Sequence, residues 1–497
     1  MIKKIINKVN IIHVIVFIAF FYLFFPTNNS SLDAYYYAGN VKFVDSLFSP
    51  HHLLYNAFLY IIIHPIRQLF NNVDILLLSK IINAVFLLIN LFLFYNILSK
   101  FNLVKKEIIL YILIIAFSFS PWRYGTENET YIIPITFSLL GSLYFIKYLK
   151  TESIKYIFFS GLFASIACLF HQIHFFWWLG LLIGIILYVK KFNIVATYCI
   201  SALAVPIAYI LVLLYYQNQS LSISNLAHFV FHDYYAGSAS SEFGLKNFFF
   251  VILNSFRTFF QMHPTIFILI KRSLLFILPI ILLFYFIYVL IRSFLKKGLF
   301  SKREIENNLF IKTHFLIFIL HFLFAFYAVG NIEFMIMLPF LILFGILIKY
   351  KINFHVLSLF ALTLFIWNFS YGIYPNNQFN YYNDEVLLDF ILEHPNDIFI
   401  VKNADLKNKY YYKTGIDSYK NIILSEKIES VAMLENLLTK NNHIYTDIID
   451  KPSIFNRAKI ISLNSFELNF NRYNKEKVLS YNGLYGESLI FKIQPKY

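Results

Sequence analysis

Two segments of this chain carry carboxylates where a reaction could use them. The first runs Asp33-Ala34-Tyr35-Tyr36-Tyr37-Ala38 and continues to Ser49-Pro50-His51-His52-Leu53-Leu54-Tyr55. A carboxylate just beyond an apolar run, in a tyrosine-rich loop, can be held partly desolvated and hydrogen-bonded, which tunes it as a general base; a solvated cap at the end of the run is the plainer reading. The second segment is Pro121-Trp122-Arg123-Tyr124-Gly125-Thr126-Glu127-Asn128-Glu129-Thr130-Tyr131. Glutamates two apart in a turn can face one cavity, so Glu127 and Glu129 could share a divalent cation such as Mg2+ or Mn2+, hold a sugar hydroxyl, or anchor Arg123. Two carboxylates are a weak metal signature, and nothing else in the sequence completes a ligand set.

Histidines and cations extend the inventory. His171 and His174 are spaced i, i+3, and with His51 and His52 they form two pairs; zinc ligation is conceivable, but no H-E-x-x-H links them, and polar capping or sugar hydrogen bonding fits as well. Trp177 and Trp178 beside them read as a membrane aromatic belt first and a sugar-stacking platform second. Arg257, Lys271 and Arg272 lie in an otherwise apolar stretch, where they could clamp a lipid phosphate or snorkel from an interfacial helix.

The elements that must position these residues are membrane helices. Of the residues, 59% are apolar and only 14% charged, and the mean hydropathy is +0.63. The 59 Phe and 37 Tyr exceed what one soluble core could bury, whereas lipid accepts Phe throughout and Tyr near the headgroups. The formal charge of +15 does not point to nucleic acid, because the Lys and Arg sit in short clusters between apolar runs. Cys168 and Cys199 both fall inside apolar runs, which gives no disulfide framework and reads as core packing.

Apolar runs near 9–25, 75–98, 106–121, 130–149, 154–171, 174–189, 193–215, 273–295, 313–329, 334–348 and 353–372 predict about eleven spans. The first follows Lys3, Lys4 and Lys8 as a signal peptide would, but it lacks an A-x-A exit and reads as an uncleaved anchor. Clusters at Lys100/Lys105/Lys106, Lys147/Lys150/Lys155, Lys190/Lys191, Arg292/Lys296/Lys297/Lys302/Arg303 and Lys349/Lys351 fall on the side of the N-terminal lysines, which the positive-inside rule makes cytoplasmic. The unusual polar residues then all face outward. Segments 53–70 and 246–270, interrupted by His64-Pro65 and by Arg257 and His263-Pro264, predict amphipathic helices in the outer interface; for the second, a pair of short re-entrant pieces is equally allowed.

From about residue 376 the composition turns mixed. A helix-like Asp384 to Glu393, strand-like Asp397 to Val401, helix-like Glu426 to Lys440 and strand-like stretches Asn442 to Ile448 and Ser488 to Ile493 predict a small α/β domain without a nucleotide or nucleophile motif. The expected division is 1–375, a catalytic membrane domain, and 376–497, an extracytoplasmic α/β domain.

In this layout the chain resembles the GT-C superfamily of polytopic glycosyltransferases. The residues that carry the resemblance are the acidic first loop, the Pro50-His51-His52-Leu53-Leu54-Tyr55 entry into an interfacial helix, and a following span that ends in lysines. Trp122 and Glu127-Asn128-Glu129-Thr130-Tyr131 are similar to the E-x-E-V-Y segment of its protein O-mannosyltransferase-like branch, and His171/His174 and Asn331-Ile332-Glu333-Phe334 fall where the superfamily has later outer-loop motifs. The chain departs in its single Asp33, where several branches carry Asp-Glu, and in Glu333-Phe334, where some members carry Arg-Tyr. The resemblance implies an all-α polytopic fold of about 11–13 transmembrane helices, a bacterial plasma-membrane location, and inverting transfer of a sugar from a polyprenyl-phosphate carrier to a glycan, lipid or protein acceptor outside. It implies Asp33 as base, Glu127 and Glu129 holding sugar or acceptor with or without a cation, and Arg123, Arg257, Lys271 or Arg272 neutralising the leaving phosphate. His51, His52, Tyr55, His171 and His174 are further candidates for substrate contact. Two rivals stay open: an O-antigen polymerase or ligase, which would place its key residues in a late outer loop, and a transporter or flippase of lipid-linked sugars, which would show paired halves and broken mid-membrane helices.

Overall fold

A computed structural model of the chain describes residues 10–495 except 71, 236–243, 305–307, 402–404, 418–420, 425–430, 441–442 and 448–472. Lys3, Lys4 and Lys8, part of the outer loop at 236–243, and the outer parts of the expected elements at 426–440 and 442–448 therefore lie outside the described residues. The chain divides into two compact units, one of residues 1–27 with 44–374 and one of residues 28–43 with 375–497.

The first unit is a bundle of apolar helices. Eight helices among the described residues are long and apolar enough to cross a membrane: Ile75–Leu98, Ile132–Thr151, Gln172–Val189, Phe192–Tyr215, Leu274–Leu295, Asn308–Tyr327, Ile332–Lys349 and Phe354–Gln378. Lys105–Phe117 and Phe119–Gly125 make a ninth if taken as one span bent by 62°, and Ile11–Phe24 and Ile154–Phe170 are shorter apolar helices. Each corresponds to an apolar run in the sequence, and the chain is an integral membrane protein.

The bend has a local cause. Ser118 takes an extended conformation with ψ 140°, which breaks the helix, and Pro121 starts the next turn where its missing N–H is harmless. In an apolar medium the backbone groups this frees need partners. The Phe119 and Ser120 N–H groups donate to the Phe259 and Thr258 carbonyls at 3.1 and 3.0 Å. Asn368 Nδ2, fully buried, donates to the Phe117 and Phe259 carbonyls at 2.7 and 2.6 Å.

Segment 53–70 forms the expected helix, Tyr55–Leu69. Segment 246–270 forms two short helices, Leu245–Arg257 and Thr265–Arg272, broken around His263-Pro264. At 13 and 8 residues both are shorter than the ~17 a span requires. Cys199 faces outward instead of packing in the core; both cysteines are free thiols.

The second unit is a mixed five-stranded sheet in the spatial order Ile422–Leu424, Ile398–Val401, Ile444–Thr446, Gly486–Pro495, Tyr473–Gly483. The first three strands are parallel and the last two antiparallel. Alternation along Ile398–Val401 sends Phe399 and Val401 to one face, against Leu387, Leu388, Ile391 and Leu406, and Ile398 and Ile400 to the other, against Leu434 and Ile493. Helices on both faces thus cover the sheet. The helix Asp405–Thr414 and the strands Ile422–Leu424 and Tyr473–Gly483 are additions to the elements expected from sequence.

Residues 32–43, read from sequence as a loop of the membrane domain, are the helix Leu32–Phe43, and they belong to this second unit. Ser31 Oγ caps the helix by accepting the Ala34 N–H at 3.1 Å. The helix lies against Asp405–Thr414: Tyr411 donates to Asn40 Oδ1 at 3.1 Å, Lys42 Nζ to the Tyr412 carbonyl at 2.8 Å, and Asn408 Nδ2 to the Leu32 carbonyl at 3.1 Å. Gly39 is required here, since a Cβ would fall 2.5 Å from the Tyr411 ring.

Candidate active site

The second carboxylate segment is the centre of a buried polar network in the membrane unit. Its scaffold is the turn between Phe119–Gly125 and Ile132–Thr151, and its anchor is Asn83, one helical turn after Lys80 in the span Ile75–Leu98. Asn83 Nδ2 donates to the Glu127 and Glu129 carbonyls at 2.7 and 2.8 Å and approaches Tyr55 Oη at 3.1 Å. Tyr55 in turn donates to Asn128 Oδ1 at 2.8 Å. One amide side chain thus clamps the Glu127-Asn128-Glu129 turn. Burial raises the Tyr55 phenol well above its ordinary value and keeps it a donor.

Within this frame Glu127, 1% exposed, is fully engaged. One oxygen accepts from Arg123 Nη1 at 2.9 Å; the other accepts the Asn128 N–H at 3.0 Å and faces Lys80 Nζ at 3.9 Å. Arg123 Nη1 also donates to Thr27 Oγ1 at 2.7 Å, and Lys80 Nζ donates to the Thr27 carbonyl. Thr27 is itself held by its N–H on the Thr126 carbonyl at 3.0 Å. Of the uses the sequence left open for Glu127, the geometry shows the anchoring of Arg123. A divalent cation does not fit there, because the carboxylate already faces two cationic side chains. Among the described residues no three His, Cys, Asp or Glu side chains group as metal ligands.

The network continues to a second carboxylate face. Glu129 is 2% exposed, and its charge acts on both the Tyr55 and the Tyr124 phenols. Glu333 accepts from Tyr131 at 3.2 Å and lies 3.4 Å from Tyr124 Oη, and the charges of Glu333, Glu129, Arg123 and Arg257 all reach the Tyr124 phenol. Arg257 is half-buried and donates to Asn254 Oδ1 at 2.9 Å. Lys271 and Arg272 stand exposed on the last turn of Thr265–Arg272.

The histidines separate. His51, His52 and His171 meet: the His52 ring lies 4.0 Å from that of His51 and 6.5 Å from that of His171. Gln172 ties them, its N–H donating to the His51 carbonyl at 3.0 Å and its side chain to the Pro50 carbonyl at 3.2 Å. Burial keeps His52 neutral well below its usual range and lowers His171 to about 3. His171 Nδ1 accepts the Ile173 N–H at 3.2 Å, so the ring carries its proton on Nε2. Its ring also lies 4.9 Å from that of Tyr131. His51 pairs with Asp233 at 3.1 Å. His174 turns its ring the other way, fully buried against Ser138 Oγ at 2.7 Å and beside His321, while its N–H donates to the His171 carbonyl at 3.0 Å. Trp177, read as an interfacial belt residue, is buried and donates to Ser142 Oγ at 3.0 Å.

Asp33 lies in the other unit, exposed on the first turn of Leu32–Phe43. Sequence reasoning missed Thr27, Lys80 and Asn83. A lysine inside an apolar span is itself a signal, because a charge there requires a partner.

No protein-family profile and no curated protein matches the chain. Among solved structures it is similar to ArnT from Cupriavidus metallidurans bound to undecaprenyl phosphate, at 10% identity and a TM-score of 0.47 over 97% of both chains. It is also similar to the Archaeoglobus fulgidus oligosaccharyltransferase in complex with zinc and sulfate, at 12% identity and a TM-score of 0.41 over 97% of this chain and 73% of that one. The archaeal oligosaccharyltransferase AglB of the same organism, in complex with an inhibitory peptide and a dolichol-phosphate, gives 12%, 0.41, 96% and 74%. At TM-scores below 0.5 these likenesses carry no functional argument, and the reading of the site rests on the chain's own residues.

Proposed function

We propose that the protein is an inverting glycosyltransferase that moves a sugar from a polyprenyl-phosphate carrier to an acceptor hydroxyl on the extracytoplasmic face, in the protein O-mannosyltransferase-like branch its E-x-E motif resembles. The observation that carries the reading is the cationic pair of part-buried Arg123 and buried Lys80, held on Glu127 at the end of a broken span. A transferase needs such a pair where a phosphate departs, and a transporter cavity at the midplane would not place it there. The proposed topology puts the N-terminus in the cytoplasm and residues 376–497 outside.

In this reading the bond from the anomeric carbon to the phosphate oxygen breaks while the acceptor oxygen bonds to the opposite face of that carbon, which inverts the configuration. The phosphate leaves as a stable anion and needs no general acid, so one carboxylate suffices, unlike a glycosidase with its alcohol leaving group. The role of base for the acceptor proton is assigned to Asp33 by the family resemblance. Arg123, Lys80 and Arg257 receive the phosphate charge; Glu333 orients hydroxyls through Tyr124 and Tyr131, which it touches, and Glu129 acts beside them through its charge. Lys271 and Arg272 are the outer approach for the anionic donor. Glu127 acts through Arg123 as a positioning residue, and no step uses a metal.

The test is transfer from a panel of polyprenyl-phosphate sugars by full-length protein carrying Asp33→Asn or Glu129→Gln. Loss of at least 100-fold in turnover for Asp33→Asn, on the order expected for a removed base, with unchanged membrane insertion, supports the assignment. Undiminished transfer with Asn at position 33 removes it.

A further inference from the structure

At the other end of the bundle, where the lysine clusters gather, the structure forms a cavity of 610 Å3 lined by Lys302, Arg303, Glu304, Asn308 and Lys349. Its frame is a two-stranded antiparallel ribbon, Phe300–Lys302 with Tyr350–Ile352, extended by the Arg303 N–H on the Lys349 carbonyl at 2.8 Å. The ribbon brings Lys302, Arg303 and Lys349 to the start of Asn308–Tyr327, a 20-residue helix whose N-terminal end favours anions. Arg303 is fixed from behind: its Nη2 donates to both Glu107 oxygens at 2.6 Å, and Tyr111 donates to the same carboxylate at 2.9 Å. Its Nη1 is buried and has no acceptor among the described residues. Among the described lining residues Lys302, Arg303 and Lys349 stand against the one carboxylate Glu304, and Glu107 is taken by Arg303, so these residues carry surplus positive charge at an opening the proposed reaction does not use.

We propose that this cavity binds a phosphate anion, the headgroup of an anionic membrane lipid. Of the lining residues, Asn308 begins the span Asn308–Tyr327 and Lys349 ends the span Ile332–Lys349, which sets the cavity at the depth of lipid headgroups. Phe300 and Tyr350, exposed with rings 6.1 Å apart on the same ribbon, offer an apolar seat for acyl chains beside it. The volume suits a headgroup. Basic pockets between spans recognise lipids in this way.

The experiment is thermal unfolding of the full-length protein in detergent, titrated with short-chain phosphatidylglycerol, short-chain phosphatidylcholine and inorganic phosphate. Saturable stabilisation by phosphatidylglycerol but not phosphatidylcholine is expected, weakened about 30-fold by Lys302→Ala/Lys349→Ala and under about threefold by the control pair Lys296→Ala/Lys297→Ala. Lys302→Ala alone, at an exposed position, gives the same direction if the double variant does not fold. Equal stabilisation by inorganic phosphate supports the anion site and identifies free phosphate as its ligand. No saturable response to either anion, or equal weakening by the two lysine pairs, overturns the proposal.

Discussion

Replacing Glu127 by Gln tests the core of the network. The substitution keeps the side chain's shape and removes its charge, leaving Arg123 and Lys80 facing each other across a neutral amide. Glu127 is 1% exposed, Lys80 7% and Arg123 18% on their side chains, so solvent relieves little of the repulsion. Removing one partner of a buried ion pair costs about 3–5 kcal/mol. The partial exposure of Arg123 and the 3.9 Å reach of Lys80 place this case at the low end, about 3 kcal/mol. Gln also turns an amide N–H2 toward either the Asn128 N–H or the Arg123 guanidinium, so one acceptor is lost whichever way it rotates. Denaturation of the full-length protein in detergent, followed by tryptophan fluorescence, reads the loss directly, since Trp122 lies buried in the adjoining helix. Lys80→Met/Glu127→Gln removes a cation together with the anion and should recover about 1–2 kcal/mol relative to the sum of the single variants. A Glu127→Gln protein within about 0.5 kcal/mol of the parent, or strict additivity in the double variant, would refute the reasoning.

Other expectations follow from the same packing. His171 titrates near 3 in the fold and near 6.5 when unfolded, so its contribution is complete above pH 6.5 and falls as pH drops toward 3, by about 2 kcal/mol at pH 5; a melt between pH 7 and 5 should show it, and His171→Gln should flatten the slope. Asn83→Leu leaves the Glu127 and Glu129 carbonyls without their clamp and should cost about 2–3 kcal/mol and reduce turnover together with stability; intact stability would show that the turn holds itself. Gly180→Leu puts a Cβ 2.4 Å from Ile317 Cγ1 and 3.1 Å from its Cα, so the spans Gln172–Val189 and Asn308–Tyr327 must part. A loss of at least about 1–3 kcal/mol is expected in thermal unfolding, and an unchanged midpoint contradicts the contact.

The membrane helices were legible because lipid rewards the length and composition of an apolar run regardless of its neighbours. Even the interruption at His263-Pro264 marked a real break. Partner choice was legible only in part: the anchoring of Arg123, four residues before Glu127, was among the readings, but nothing local in Glu127-Asn128-Glu129 says that Lys80 joins it or that Glu129 acts on tyrosines instead. The helix at Leu32–Phe43 was hidden because its tyrosines are poor helix formers, although Ser31 is a capping residue; its packing on Asp405–Thr414 supplies what propensity lacks. His51, His52 and His171 converge through Gln172, a contact of 122 residues' separation on Pro50 that no spacing rule anticipates. Strand Tyr473–Gly483 was missed because Lys475, Glu476 and Lys477 follow one another and interrupt the apolar alternation of a strand; at the edge of the sheet they stay exposed.

The most direct measurement is the fate of the carrier. Purified protein mixed with a polyprenyl-phosphate sugar and membrane-derived acceptors should release polyprenyl phosphate in step with glycoside formation, with NMR showing the opposite anomeric configuration in the product. Sugar carried intact across a vesicle without release of polyprenyl phosphate, or a product that retains the donor's configuration, would contradict the account.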